Sequence, residues 1–87
     1  MDALDGNAIA GALYDYFGAE MTTARGICAH CGAPATIAEL RVYMRAPGAV
    51  VRCWNCDLVV IVLVSAQDVT RVDHSAFNLV KMPAGTG

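Results

Sequence analysis

The chain has 87 residues, a formal charge of −2, 56% hydrophobic against 16% charged residues, and four cysteines. That length gives one domain with a modest core, so a metal or disulfide staple is expected, and the acidic balance disfavours a general affinity for phosphate backbones, which rests on Lys and Arg releasing counterions. The longest unbroken apolar run, Leu58 to Val64, has seven residues and is too short to span a bilayer.

In chain order, the acidic opening Met1-Asp2-Ala3-Leu4-Asp5 is unlike the basic start of a secretory signal, and a cytoplasmic protein is expected. From Asp5 to Phe17, the residues Ile9, Leu13, Tyr16 and Phe17 fall on one stripe of an amphipathic helix spanning residues 5–17. Asp5 suits the N-cap, Leu4 a staple against Ile9 or a neighbour, and Gly18 the C-terminal stop. Small residues at Gly6 and Ala10, and at Asn7 and Gly11, leave two flanks of that helix with little bulk. Gly11 costs about 1 kcal/mol relative to alanine inside a helix. Either another backbone approaches it closely, or it is simply tolerated. Tyr14, Tyr16 and Phe17 are too close in sequence for all three to face the core.

Glu20 to Ile27 reads as extended and leads into the first C-x-x-C unit, Cys28-Ala29-His30-Cys31-Gly32. Pro34 opens a second strand, with Ile37 to Arg45 continuing it: Leu40, Val42 and Met44 share one face, Arg41, Tyr43 and Arg45 the other. Ala46-Pro47-Gly48-Ala49 has a type II turn composition, and Val50 to Cys53 returns into the second unit, Cys53-Trp54-Asn55-Cys56-Asp57. A turn with Ala46 opposite Ala49 sets Arg45 against Val50, Tyr43 against Arg52 and Arg41 against Trp54. Leu58 to Val64 is β-branched and continuous, the pattern of a central strand buried on both faces. Ala66-Gln67-Asp68 forms a loop and Val69 to Asp73 a returning strand. Ser75 to Val80 is expected to be a helical turn or irregular backbone that lays Phe77, Leu79 or Val80 on the sheet, and residues 83–87 a frayed tail. Residues 1–82 make a single domain.

The two C-x-x-C units are separated by 21 residues, close to the spacing that brings four thiolates to one metal. Cys28, Cys31, Cys53 and Cys56 are the expected ligands, with Zn2+ the preferred ion and iron the alternative for a tetrahedral sulfur set. Disulfides are the competing use of these cysteines, and the missing secretory signal argues against them. Gly32 and Asp57 stand where each unit must curl and tolerate positive φ. Four filled positions leave none for water or substrate, so hydrolytic zinc chemistry is not expected. His30, between two ligands, should point outward, and His74 reads as a turn residue. Asp5, Asp15 and Glu20 are better explained as caps and solvated charges than as an acid/base pair. With no phosphate loop or nucleophile motif, the chain is not expected to be an enzyme.

Together these elements predict a small α+β protein, a zinc ribbon of antiparallel β-hairpins carrying two cysteine knuckles, preceded by the N-terminal helix. The chain resembles a family of small, uncharacterised bacterial zinc-ribbon proteins, a domain of unknown function. The likeness rests on Leu4-Asp5-Gly6-Asn7-Ala8-Ile9-Ala10-Gly11-Ala12-Leu13, on Cys28-x-x-Cys31-Gly32, on Val42-Tyr43-Met44-Arg45-Ala46-Pro47-Gly48 with Val51-Arg52-Cys53-x-x-Cys56, and on the stretch near Val72-Asp73. It implies a metal-bound ribbon, and it ranks an oxidoreductase among the partners.

Three functions follow for comparison. The excess apolar composition favours a metal-stabilised module for protein–protein interaction, an accessory or docking subunit or a self-associating homo-oligomer. A rubredoxin-like electron carrier with iron in the four-cysteine site is the alternative, and a nucleic-acid-binding ribbon the third. Arg41, Tyr43, Arg45, Arg52 and Trp54 are the expected interaction surface, for acidic groups of a partner or for stacked bases and phosphates. The competing role for these side chains is internal: guanidinium groups over aromatic faces would brace the hairpin that carries Cys53.

Overall fold

A computed structural model describes residues 4–45, 47–67 and 69–81. Among the described residues, eight antiparallel strands form two sheets beside one short α-helix, a small α+β architecture. The strands are β1 (Leu4–Asp5), β2 (Arg25–Cys28), β3 (Pro34–Thr36), β4 (Arg41–Arg45), β5 (Gly48–Arg52), β6 (Val59–Ala66), β7 (Val69–Asp73) and β8 (Phe77–Lys81), and helix α1 spans Ala10–Phe17. The larger sheet runs β1-β4-β5-β6-β7 and the smaller β3-β2-β8. Among the described residues no helix is long and apolar enough to cross a membrane.

One contiguous cluster of buried side chains joins the two sheets. Val42, Val51, Ile61 and Leu63 come from the inner face of the large sheet, Leu13 from α1, Phe77 from β8, and Met21, Ile37 and Leu40 from the connections. This alternation leaves the outer face of the large sheet uncovered: Val62, Val64 and Val69 are exposed there, on the same side as Arg41, Tyr43, Arg45, Val50 and Arg52.

The N-terminal segment is helical over a shorter range than 5–17. Leu4 and Asp5 pair with Val42 and Arg41 as an edge strand, so Leu4 is half exposed rather than a staple. The Asn7 N–H donates to Asp5 Oδ1 at 3.0 Å, and a 3₁₀ turn over Gly6–Ile9 precedes α1. Gly18 ends the helix at φ 73°, its N–H bonded to the Tyr14 carbonyl. Of the apolar stripe, Leu13 is buried while Tyr16 turns out to solvent with Tyr14.

Of the two readings of Gly11, the chain itself supports the tolerated glycine, and the close backbone approach lies at Gly6 instead. A Cβ on Gly11 would meet nothing within 4 Å, whereas one on Gly6 would overlap the Ile37 carbonyl. Gly11→Ala is therefore expected to stabilise the protein by about 0.5–1 kcal/mol through backbone entropy and helix propensity. Urea unfolding of the metal-loaded protein measures this, and a loss of stability would reveal a contact at Gly11.

Four further expectations are corrected. Ile37–Glu39 is a 3₁₀ turn, not strand, because Thr36 and Glu39 form a capping box: the Thr36 N–H and hydroxyl both donate to Glu39 Oε1. The hairpin register differs from the expected one, with Arg45 opposite Gly48, Tyr43 opposite Val50 and Arg41 opposite Arg52; Ala46 lies outside the described residues. A shift of two residues preserves the faces and changes the neighbours. Strand β6 is buried on both faces only near Val60 and Ile61, and β5, not β6, occupies the centre of the sheet. Residues 77–81 form a strand, β8, which pairs with β2 and places Phe77 opposite Cys28. The expected tail at 83–87 lies outside the described residues.

Candidate metal centre

Two loops of matching geometry carry the four cysteines. The first connects β2 to β3 and the second β5 to β6. In the first, the Cys28 N–H bonds to the Ala33 carbonyl at 3.0 Å and the Gly32 N–H to the Cys28 carbonyl at 2.8 Å; in the second, Cys53 N–H meets Leu58 O at 2.9 Å and Asp57 N–H meets Cys53 O at 3.1 Å. Closing so short a loop requires a left-handed residue after the second cysteine, and Gly32 (φ 78°) and Asp57 (φ 62°) supply it. The sequence expectation for these two positions holds.

The folded loops bring the four sulfurs together. All four lie within 4.8 Å of one another, with Cys28 Sγ to Cys56 Sγ and Cys31 Sγ to Cys53 Sγ both at 3.7 Å. A regular tetrahedron with metal–sulfur bonds of about 2.3 Å has an edge of about 3.8 Å. The donor set therefore fits a tetrahedral metal ion, and all four cysteines are free thiols in this arrangement.

Each sulfur also faces the amide two residues further on. His30 N–H donates to Cys28 Sγ at 3.4 Å and Asn55 N–H to Cys53 Sγ at 3.3 Å, while the Ala33 and Leu58 amides serve Cys31 and Cys56. Asn55 adds a fifth donor, its Nδ2 lying 3.5 Å from Cys31 Sγ. That side-chain bond, with the Ala33 amide, lowers the Cys31 pKa to about 6. For Cys56 the Leu58 amide favours the thiolate, but burial and the three neighbouring thiols outweigh it and push the pKa up to about 12. In the metal-free cluster the thiols oppose one another's ionisation, and a dication would remove that conflict.

Residues 1–85 match the family described as Family of unknown function (DUF6510). The chain belongs to this family. No curated protein and no solved structure matches it. In this DUF6510 chain the four cysteines expected to act together are together, and His30 stands outside the cluster. Its Nε2 lies 3.1 Å from the Val59 carbonyl, tying the first loop to the start of β6. His74 sits beside the Phe17 ring, centroids 5.8 Å apart.

The five residues expected to form an interaction surface are divided. Arg41, Tyr43, Arg45 and Arg52 share the outer face of the DUF6510 sheet, whereas Trp54 belongs to the second cysteine loop, 44% exposed, with its Nε1–H donating to the Pro34 carbonyl at 3.3 Å. Arg52 lies 5.8 Å above the Tyr43 ring centroid, and its Nη1 donates to the Asp57 carbonyl at 2.8 Å. Tyr43, Arg45, Val50, Arg52, Asp57 and Val59 line an open groove of about 570 Å³. Sequence reasoning missed two contacts here, Asn55 to Cys31 and Arg52 to Asp57. The available signal for the first was an amide side chain between two ligand cysteines.

Proposed function

We propose that the protein is a zinc-stabilised ribbon, without catalytic activity of its own, that docks an acidic surface of a partner protein on the outer face of its large sheet. The observation that carries this reading is charge placement. Of six basic residues in an acidic chain, Arg41, Arg45 and Arg52 lie on one face, beside Tyr43 and the exposed apolar side chains Val62, Val64 and Val69. An apolar centre edged by arginines is the composition of an interface. Arg41 opposite Arg52 also places like charges side by side, which costs stability; Asp5, across from Arg41 on the edge strand, offsets part of that cost, and a partner's carboxylates would offset more. Metal raises the contrast: four thiolates around one dication take the whole chain to a charge of about −4, leaving this face basic.

The test compares the zinc-loaded wild type with the double variant Arg41→Gln/Arg45→Gln in affinity purification from the native host, followed by titration of the recovered partner across a salt series. Arg52 is left intact because it also bonds to the second cysteine loop. The expected result is a stoichiometric partner with an acidic contact surface, bound about tenfold or more weakly by the variant, and more weakly by both proteins as salt rises, with the melting temperature not lowered. A partner that the variant retains, a dimer of this chain through the same face, or binding to single-stranded nucleic acid in its place would overturn the reading.

A second reading has one specific observation in its favour: Cys31 is exposed, which would give an iron centre a ligand at the surface for electron exchange. Asp57 beside the cluster opposes it, since a carboxylate near four thiolates disfavours the more negative reduced state. Metal analysis of protein purified from its own host separates the two: about one zinc and no iron per chain supports the ribbon, and a coloured iron protein supports the carrier.

A further inference from the structure

The groove on the outer face and the cysteine cluster share one peptide group, that between Asp57 and Leu58. Its carbonyl accepts the Arg52 guanidinium at 2.8 Å, and its N–H, on the opposite side of the trans peptide, is the backbone donor that favours the Cys56 thiolate. The same peptide is fixed from both ends: Asp57 N–H bonds to the Cys53 carbonyl, and the Leu58 carbonyl accepts from Cys53 N–H. It therefore has little freedom to turn. A cation on the oxygen of a peptide polarises the N–H on its other side, so the two hydrogen bonds strengthen one another.

We infer that Arg52 is a positioning residue of the metal centre, holding the Asp57–Leu58 peptide so that its N–H is aimed at Cys56. Two features support this beyond the single bond. Arg52 also lies over the Tyr43 ring, a contact that limits where its guanidinium can go. Asp57 is a non-glycine residue at φ 62°, a conformation that costs about 1 kcal/mol or more, and the bond to its carbonyl offsets that strain. Arg52 uses one of its five N–H groups in this way and keeps the others for the groove. Because coupling between two sites is reciprocal, whatever the groove binds through Arg52 alters metal affinity by the same factor as metal alters groove binding.

The inference rests on metal binding at the four cysteines and is independent of docking. Zinc-loaded wild type, Arg52→Gln, Arg52→Lys and Arg41→Gln are compared by transfer of zinc to a chromophoric chelator, by the thiolate-to-metal charge-transfer bands of the cobalt(II) form, and by amide proton shifts. Arg52→Gln is expected to weaken metal binding about 10–100-fold, the usual effect of removing a group that supports a ligand. It should also shift the cobalt bands and move the Leu58 amide proton upfield while that of Ala33, the equivalent donor in the first loop, stays in place. Arg52→Lys, which keeps the charge and loses the fork, should fall between, and Arg41→Gln should match wild type. A lowered melting temperature with unchanged zinc transfer, cobalt bands and Leu58 shift would show that Arg52 braces only the hairpin and would overturn the inference. A wild type that binds no metal fails at an earlier step and removes the metal reading itself.

Discussion

Stripping the metal with a strong chelator, or replacing Cys53 by Ser, is expected to abolish the cooperative thermal transition. Cys53 is 1% exposed and Cys28 2% exposed, so both belong to the core as well as to the cluster. Their sulfurs stand 3.7 Å from those of Cys31 and Cys56, where thiolates repel one another without a cation. Structural zinc in small domains contributes on the order of 10 kcal/mol or more, comparable with the whole stability of a domain, about 5–15 kcal/mol. Calorimetry and a nitrogen-proton correlation spectrum measure the outcome directly. Native-like dispersion in the metal-free protein would show that the two sheets hold without it.

The second large effect is expected at Gly6. Its backbone presses on the Ile37 carbonyl, so a methyl group there meets main chain rather than a side chain able to swing aside. Ile37 is itself fixed: its N–H bonds to the Ala24 carbonyl, and its carbonyl accepts from Leu40 N–H. Gly6→Ala should cost about 2–4 kcal/mol, the range for forced overlap in packed structure, and lower the melting temperature of a chain this size by roughly 10–30 °C. The contrast with Gly11→Ala is the sharper test, because the two changes are identical in chemistry and opposite in expected sign. Equal effects from both would mean that the 3₁₀ turn at Gly6–Ile9 yields freely.

The cysteine loops were legible in the sequence because their chemistry is local: spacing fixes which sulfurs meet, and Gly32 and Asp57 announce the left-handed turn. The helix stop at Gly18 and the outer-face alternation of Arg41, Tyr43 and Arg45 were legible for the same reason. What failed depended on distance. Gly6 and Gly11 look alike along the chain, and only the approach of Ile37, more than thirty residues away, separates them. Gly48 carried a turn composition, yet it is a strand residue pressed against the Leu63 carbonyl. Strand β8 buries only Phe77 fully, with Leu79 half-buried and Asn78, Val80 and Lys81 exposed, so its alternation is too short to stand out and it exists through β2. The 3₁₀ turn after Thr36 is a different failure, since Thr36-x-x-Glu39 is a local capping signal that the strand-like alternation of Leu40, Val42 and Met44 outweighed.

The pairing of β8 with β2 has a consequence for the order in which the molecule is made. All four sulfurs lie between residues 28 and 56, so the set is complete in a nascent chain well before residues 77–81 are synthesised. The first cysteine loop nevertheless leans on that late segment: Phe77 lies opposite Cys28, and the Ala29 N–H bonds to the Ala76 carbonyl at 2.9 Å. Until they arrive, β2 has β3 on one side and an open edge on the other, able to pair with any passing strand. Early capture of an ion would hold the two loops together through this interval, and the last strand would then close the edge around a centre already assembled.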